Sequence, residues 1–226
     1  MKKSIISKTL IIYTVLCVSL SCERDTDITD FSPTGAGFPV DLDLSVKWAS
    51  CNVGASSSED YGDYFAWGEV DLKSTYRWGT YMYSKGYEKP ITKYNTNSWY
   101  GRVDNKTQLE LSDDAARANW DGDWRMPTYA ELTELRENCT WTWTSQNGVN
   151  GYKVTSKSNG NSIFLPAAGF RDGSSLYDAG SGGYYWSSSI GTPDPHYAGN
   201  VIFGSDDVYR DRYSRCVGLS VRPVCQ

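Results

Sequence analysis

Trp124-Arg125-Met126-Pro127-Thr128-Tyr129-Ala130-Glu131 is the stretch on which the reading of the fold turns. Thr128, followed three residues later by Glu131, is a capping box: each side chain accepts the other residue's backbone N–H, so two donors at the start of a helix gain partners. Leu132, Leu135 and Cys139 then recur at helical spacing and mark the face expected to turn inward. Upstream, a shorter helix is expected to follow Ser112 as its cap, with Asp113 and Asp114 near the positive end of its dipole and residues 115–119 continuing it. Residues 44–49 alternate apolar and polar side chains with a period of two, and 64–68 is a second short strand candidate. Residues 71–110 lack periodicity and read as loops. Downstream, residues 151–156 and 162–168 flank Ser158-Asn159-Gly160, a hairpin signal, and 184–188, 199–203 and 218–224 are three further strands. In 199–203 the alternation assigns Val201 and Phe203 to the core and Asn200 and Ile202 to the opposite face, leaving Ile202 exposed. A strand, two helices and then short antiparallel strands make an α+β arrangement.

Composition narrows the function. The chain has 22 basic against 27 acidic side chains, a formal charge of −5, and a mean hydropathy of −0.51. Residues 1–21, read below as a signal, carry Lys2, Lys3 and Lys8 and no acid, so the remainder has a net charge of −8. With no Lys/Arg cluster, that balance argues against nucleic acid as a partner. His196 is the only histidine, which disfavours His-centred metal sites and Ser-His-Asp or Cys-His catalysis. Nine Trp, 17 Tyr and 6 Phe are too many aromatics for a disordered chain, and Trp48, Trp67, Trp124 and Trp186 are expected to be buried.

The N-terminus reads as an export signal. Met1-Lys2-Lys3 is its basic start, residues 9–20 its apolar run, and Ser21-Cys22 its end. A small residue before Cys after an apolar run resembles a bacterial lipobox, which implies that Cys22 is lipidated; an ordinary signal peptide with an incidental Cys is the alternative. The expected organisation is a signal peptide at 1–21, a flexible tether at 22–38 containing Ser32-Pro33-Thr34-Gly35-Ala36-Gly37, and one domain at 39–226. The expected location is the outer membrane or cell surface of a Gram-negative bacterium, held by lipid alone. Cys51, Cys139, Cys216 and Cys225 allow three disulfide pairings, with buried thiols equally open.

Several stretches carry a family resemblance. Trp124-Arg125-Met126-Pro127-Thr128, with Glu131, resembles the helix start shared with formylglycine-generating-enzyme-like domains. Leu165-Pro166-Ala167-Ala168-Gly169-Phe170-Arg171, Gly183-Tyr184-Tyr185-Trp186-Ser187-Ser188-Ser189 and Gly218-Leu219-Ser220-Val221-Arg222-Pro223-Val224 resemble the Fibrobacter succinogenes major paralogous domain in order and spacing. The resemblance implies a C-type lectin-like fold, two helices plus short antiparallel strands, over 39–226. It implies little about activity, because fold does not fix function. The Glu-Pro-Asn and Trp-Asn-Asp signatures of calcium-dependent sugar-binding lectins are absent. Asp121 and Asp123 read as turn and capping residues rather than calcium ligands. Cys216 and Cys225 lack the setting of paired catalytic cysteines, and no acid pair stands out for glycoside hydrolysis.

Residues 184–224 also resemble the variable region of a diversity-generating retroelement target protein. Mutation of template adenines turns Asn codons into any residue except, among others, Lys, Glu, Gln, Met and Trp. Those five types make up 34 of the 226 residues but none of residues 187–225. Gly191, Asp194, His196, Tyr197, Ile202, Gly204, Asp207, Tyr209, Asp211, Arg212, Tyr213, Ser214, Cys216 and Val217 are all reachable from Asn. The resemblance implies a non-enzymatic, cofactor-free protein binding an unknown protein or surface ligand. Its expected ligand-binding residues are Asp194, His196, Tyr197, Ile202, Asp207, Tyr209, Arg210, Asp211, Arg212, Tyr213 and Ser214, a paratope-like mixture with Tyr and Arg as anchors. A non-diversified structural or adhesive surface component, or a glycan-acting enzyme, are the alternatives.

Overall fold

The computed structural model of the chain describes residues 37–86, 90–191 and 193–226. The signal peptide, Cys22 and nearly all of the tether lie outside the described residues. The elements run β1 (Pro39–Val40), β2 (Lys47–Ala49), β3 (Tyr64–Phe65), α1 (Ala115–Asn119), α2 (Tyr129–Asn138), β4 (Cys139–Gln146), β5 (Val149–Ser156), β6 (Ser162–Pro166), β7 (Phe170–Asp172), β8 (Ser175–Tyr177), β9 (Gly183–Ile190), β10 (Tyr197–Phe203), β11 (Val208–Ser214), β12 (Leu219–Ser220) and β13 (Val224–Cys225). The class is α+β, with two helices and mostly antiparallel sheets. Among the described residues no helix is long and apolar enough to cross a membrane.

The capping box forms as the sequence requires. Thr128 Oγ1 accepts the Glu131 N–H at 3.1 Å, and Glu131 Oε2 accepts the Thr128 N–H at 2.7 Å. The same carboxylate receives Arg125 in a two-pronged pair at 2.6 and 2.8 Å. Leu132, Leu135 and Cys139 are buried. The cap of α1 differs from expectation: Asp114, not Ser112, accepts the N–H groups of Ala116 and Arg117, because residues 111–113 form a 3-10 turn of their own. Asp114 also accepts the Met126 N–H at 2.8 Å, so one buried carboxylate starts α1 and fixes the approach to α2. Burial pushes its pKa up in spite of the three amides.

Three sheets and a small hairpin enclose two cores. β1-β2-β13 joins the two ends of the domain, β4-β5-β6 is an antiparallel meander, β7-β8 is a hairpin, and the central sheet has the order β11-β10-β9-β12-β3. The central sheet is covered on both faces. Trp186 and Ala198 face a cluster with Trp67, Phe65 and Leu219, while Tyr185, Val201 and Phe203 face Trp48, Leu132 and Leu135. Ile202 is therefore buried, at 5% exposure, against the expectation of an exposed side chain. A strand buried on both faces does not obey the half-buried alternation from which its exposure was argued. Gly199 on the same strand meets α2 so closely that an added Cβ would lie 2.6 Å from the Tyr129 ring. Trp48, Trp67, Trp124 and Trp186 are all buried, and the four described cysteines are free thiols. Of the expected strand over 44–49, only Lys47–Ala49 pairs.

Candidate binding cleft

The edge strand β11 decides where the expected site residues go. It pairs with β10 so that Tyr209, Asp211 and Tyr213 stand beside Ile202, Asn200 and Ala198 on one face, and Val208, Arg210 and Arg212 stand beside Phe203, Val201 and Gly199 on the other. At the strand end Ser214, and beyond it Cys216 and Val217, lie beside the loop that carries Arg77 and Trp78. A cleft of about 460 Å3 opens between them, lined by Arg77, Trp78, Asp172, Tyr197, Asp211, Arg212, Tyr213, Ser214, Cys216 and Val217. A second recess of about 310 Å3 shares Trp78, Tyr197 and Ser214 with it and adds Trp99, Tyr100, Asp194 and His196. The two recesses adjoin at these shared residues.

Seven of the eleven expected residues meet here: Asp194, His196, Tyr197, Asp211, Arg212, Tyr213 and Ser214. Four do not. Ile202 is inside the sheet. Asp207 sits in the β10–β11 turn, where its carbonyl accepts the Gly204 N–H. Tyr209 is exposed farther along the strand. Arg210 points to α2, donating to Thr133 Oγ1 at 2.6 Å with its guanidinium 5.3 Å from the Tyr129 ring. Residues 191–217 thus do not present one solvent-facing surface: Arg215, Cys216 and Val217 are buried, as is most of β10. Gly191 also has no room for a side chain, since an added Cβ would lie 2.8 Å from the Tyr197 carbonyl oxygen.

The floor is built around Arg215, which is fully buried. Its guanidinium donates to the carbonyls of Lys93, Tyr94 and Pro195 at 2.9–3.2 Å and to the Tyr81 hydroxyl at 2.8 Å. It lies 4.7 Å from the Trp67 ring and 5.3 Å from that of Tyr81. Aromatic faces and aligned carbonyls hold the charge where water cannot. The Arg215 N–H also donates to the His196 carbonyl, so this residue sets the path of 194–197. His196 is buried with its ring edge-on to Trp78 at 5.2 Å and Tyr100 at 4.7 Å, and Nδ1 lies 2.9 Å from Asp194 Oδ1.

Burial pushes the Cys216 thiol pKa up, which keeps it protonated and a poor nucleophile. Asp121 and Asp123 lie in an exposed turn, with Asp123 3.5 Å from Arg117. Among the described residues no three His, Cys, Asp or Glu side chains gather as a metal ion would require. The cleft instead offers flat aromatic faces and charges of both signs on a braced floor. Sequence reasoning missed Arg77, Trp78, Trp99, Tyr100 and Asp172; the signal that could have found the aromatics is their placement in an aperiodic, loop-rich stretch, with Trp99 73% exposed. No protein-family model matches the chain, and no curated protein or solved structure matches it.

Proposed function

We propose that this chain is a lipid-anchored, non-catalytic surface protein that binds varied ligands, chiefly protein, in this cleft. On this reading the domain is a C-type lectin-like scaffold and the cleft wall is diversified by a retroelement. One observation carries the reading. Of the fourteen residues singled out as reachable from adenine-rich codons, nine line the cleft: Asp194, His196, Tyr197, Asp211, Arg212, Tyr213, Ser214, Cys216 and Val217. They are spread over 24 positions of sequence that also contain the buried β10, so their convergence is a property of the folded chain. Support for the scaffold comes from the segments that carry the family resemblance, which bond to one another. Arg125 bridges to Val224, Arg171 to Gly218, and Gly169 to Gly183. Function placed on loops and edges over a rigid frame is a common division of labour.

The test is genomic. A reverse transcriptase near the gene, with a near-repeat of its 3′ end differing only at adenines, is expected. The mismatches should fall on the cleft positions and spare Gly191, Ile202 and Arg215. No such repeat, or mismatches as frequent in the buried β10 as at the cleft positions, would remove the diversified reading. The anchor has its own test: Cys22→Ser should move the protein out of the membrane fraction and abolish labelling by a lipid precursor, and persistent labelling would refute it.

A further inference from the structure

At Tyr213 the cleft runs into a second aromatic surface. Phe170 stacks on Tyr177 at 5.5 Å and meets Tyr184 at 4.8 Å and Tyr213 at 5.3 Å. Tyr177 and Tyr209 are each 48% exposed. The strand alternation sorts charge across this surface. In the β7–β8 hairpin Phe170 and Asp172 share a side with Tyr177, and Arg171 is sent to the other, where its guanidinium lies 5.1 Å from the buried Tyr64 ring. In β11 Asp211 accompanies Tyr209 and Tyr213, and Arg210 turns to α2.

Arg171 and Arg210 are thus turned away, while Asp172 and Asp211 stay beside the tyrosines. Burial, and then the charges of Asp172, Asp178 and Asp211, push the Tyr213 hydroxyl pKa up. The Tyr184 hydroxyl donates to Asp178 at 2.6 Å. Arg77 and Arg212 line the cleft together with Asp172, Asp211 and Tyr213, whereas Tyr177, Asp178 and Tyr209 lie outside that lining.

We propose that this aromatic face docks a basic segment of a partner protein, with arginine side chains lying on Tyr177, Tyr209 and Tyr213 and their charges meeting Asp172, Asp178 and Asp211. The proposal rests on the reading of the adjoining cleft as a combining site and names the chemistry of its ligand. Charge complementarity selects the occupant. A planar guanidinium both stacks on tyrosine and pairs with carboxylate. A second copy of this acidic chain would bring like charge to the face.

The experiment uses the full chain and a fluorescein-labelled hexa-arginine peptide, read by fluorescence anisotropy at physiological salt. The triple variant Asp172→Asn, Asp178→Asn, Asp211→Asn should weaken binding by about tenfold or more. A control with the same change of net charge at exposed positions elsewhere (Asp121→Asn, Asp123→Asn, Glu137→Gln) should change it less than about twofold. The double variant Tyr177→Ala, Tyr209→Ala, at two half-exposed positions, should weaken binding by about threefold or more with all charges retained; it decides the matter if the triple variant fails to fold. Absence of binding to the wild-type chain, equal losses in both charge variants, or an unaffected double variant would each overturn the proposal. The genomic test of the cleft is independent of all of these results, so failure of one reading is distinguishable from failure of the other.

Discussion

Glu131→Gln isolates the charge at the point where α2 begins. The wild-type carboxylate takes two bonds from Arg125, at 2.6 and 2.8 Å, and one from the Thr128 N–H at 2.7 Å. The side chains of Arg125 and Glu131 are 26% and 13% exposed, so solvent screens the pair only in part. Opposite charges about 4 Å apart at an effective dielectric of about 20 attract by about 4 kcal/mol before desolvation. The net worth of charge-assisted bonds is about 1.5–3 kcal/mol. Glutamine keeps one acceptor for the Thr128 N–H, so the expected loss at neutral pH is about 1–2 kcal/mol, with about 2–4 °C in Tm for each kcal/mol in a chain of this size. Burial alone would raise the Glu131 pKa; the Arg125 pair and the Thr128 N–H outweigh it and hold the group below its usual 4.5. The unfolded chain therefore takes up the proton first. The stability due to the charge is full above the unfolded value and is lost as pH falls through the folded one. Urea unfolding of both proteins should show the widest gap near pH 7 and a closing gap as the pH falls through the folded value, below which the wild-type group is itself neutral. A gap that keeps its size throughout would show that the charge is not its source.

Leu132→Ala should cost about 2–5 kcal/mol in the same unfolding assay, because the side chain is buried against the inner sheet face; an unchanged midpoint would refute that packing. Gly199→Ala should cost about 1–3 kcal/mol, since its methyl would lie 2.6 Å from the Tyr129 ring and 2.9 Å from Ser187 Oγ. Pairing it with Tyr129→Ala should recover part of that loss, and the absence of any recovery would mean that the helix is not what the methyl strikes.

What could be read from the sequence was local. The capping box needs only four consecutive residues, and the hairpin at 158–160 only a turn signal between two strands, so both appear as expected. The cap of α1 was displaced by two residues because Asp114 wins the free N–H groups through a contact with Met126 that adjacent sequence does not reveal. β4 carries Trp141 and Trp143 alternating with threonines, a legible period of two that was not assigned. β11, Val-Tyr-Arg-Asp-Arg-Tyr-Ser, has no apolar alternation because an edge strand leaves most of its side chains in water. β10 fails in the opposite sense, having two dry faces. Half of the cleft was visible in the composition of 194–217. The other half comes from Arg77 to Tyr100, more than ninety residues away in the chain, and proximity of that kind is set by packing rather than by pattern.

Arg215 holds the chain beneath the cleft through three main-chain oxygens and one hydroxyl, that of Tyr81, which lies outside the cleft wall. Among the described residues no carboxylate pairs with it; it grips the path of Lys93, Tyr94 and Pro195 and is indifferent to what those residues carry above the backbone. A side-chain partner would have to be kept whenever its neighbours changed, whereas a carbonyl is present in every residue. The floor therefore makes no demand on the identity of the wall. Exchanging Asp194, Tyr197 or Ser214 alters the shape and charge offered to a ligand without removing any acceptor that Arg215 uses. On the reading proposed above, a scaffold braced in this way separates inheritance of form from inheritance of specificity, and the seam between the two passes through one guanidinium group.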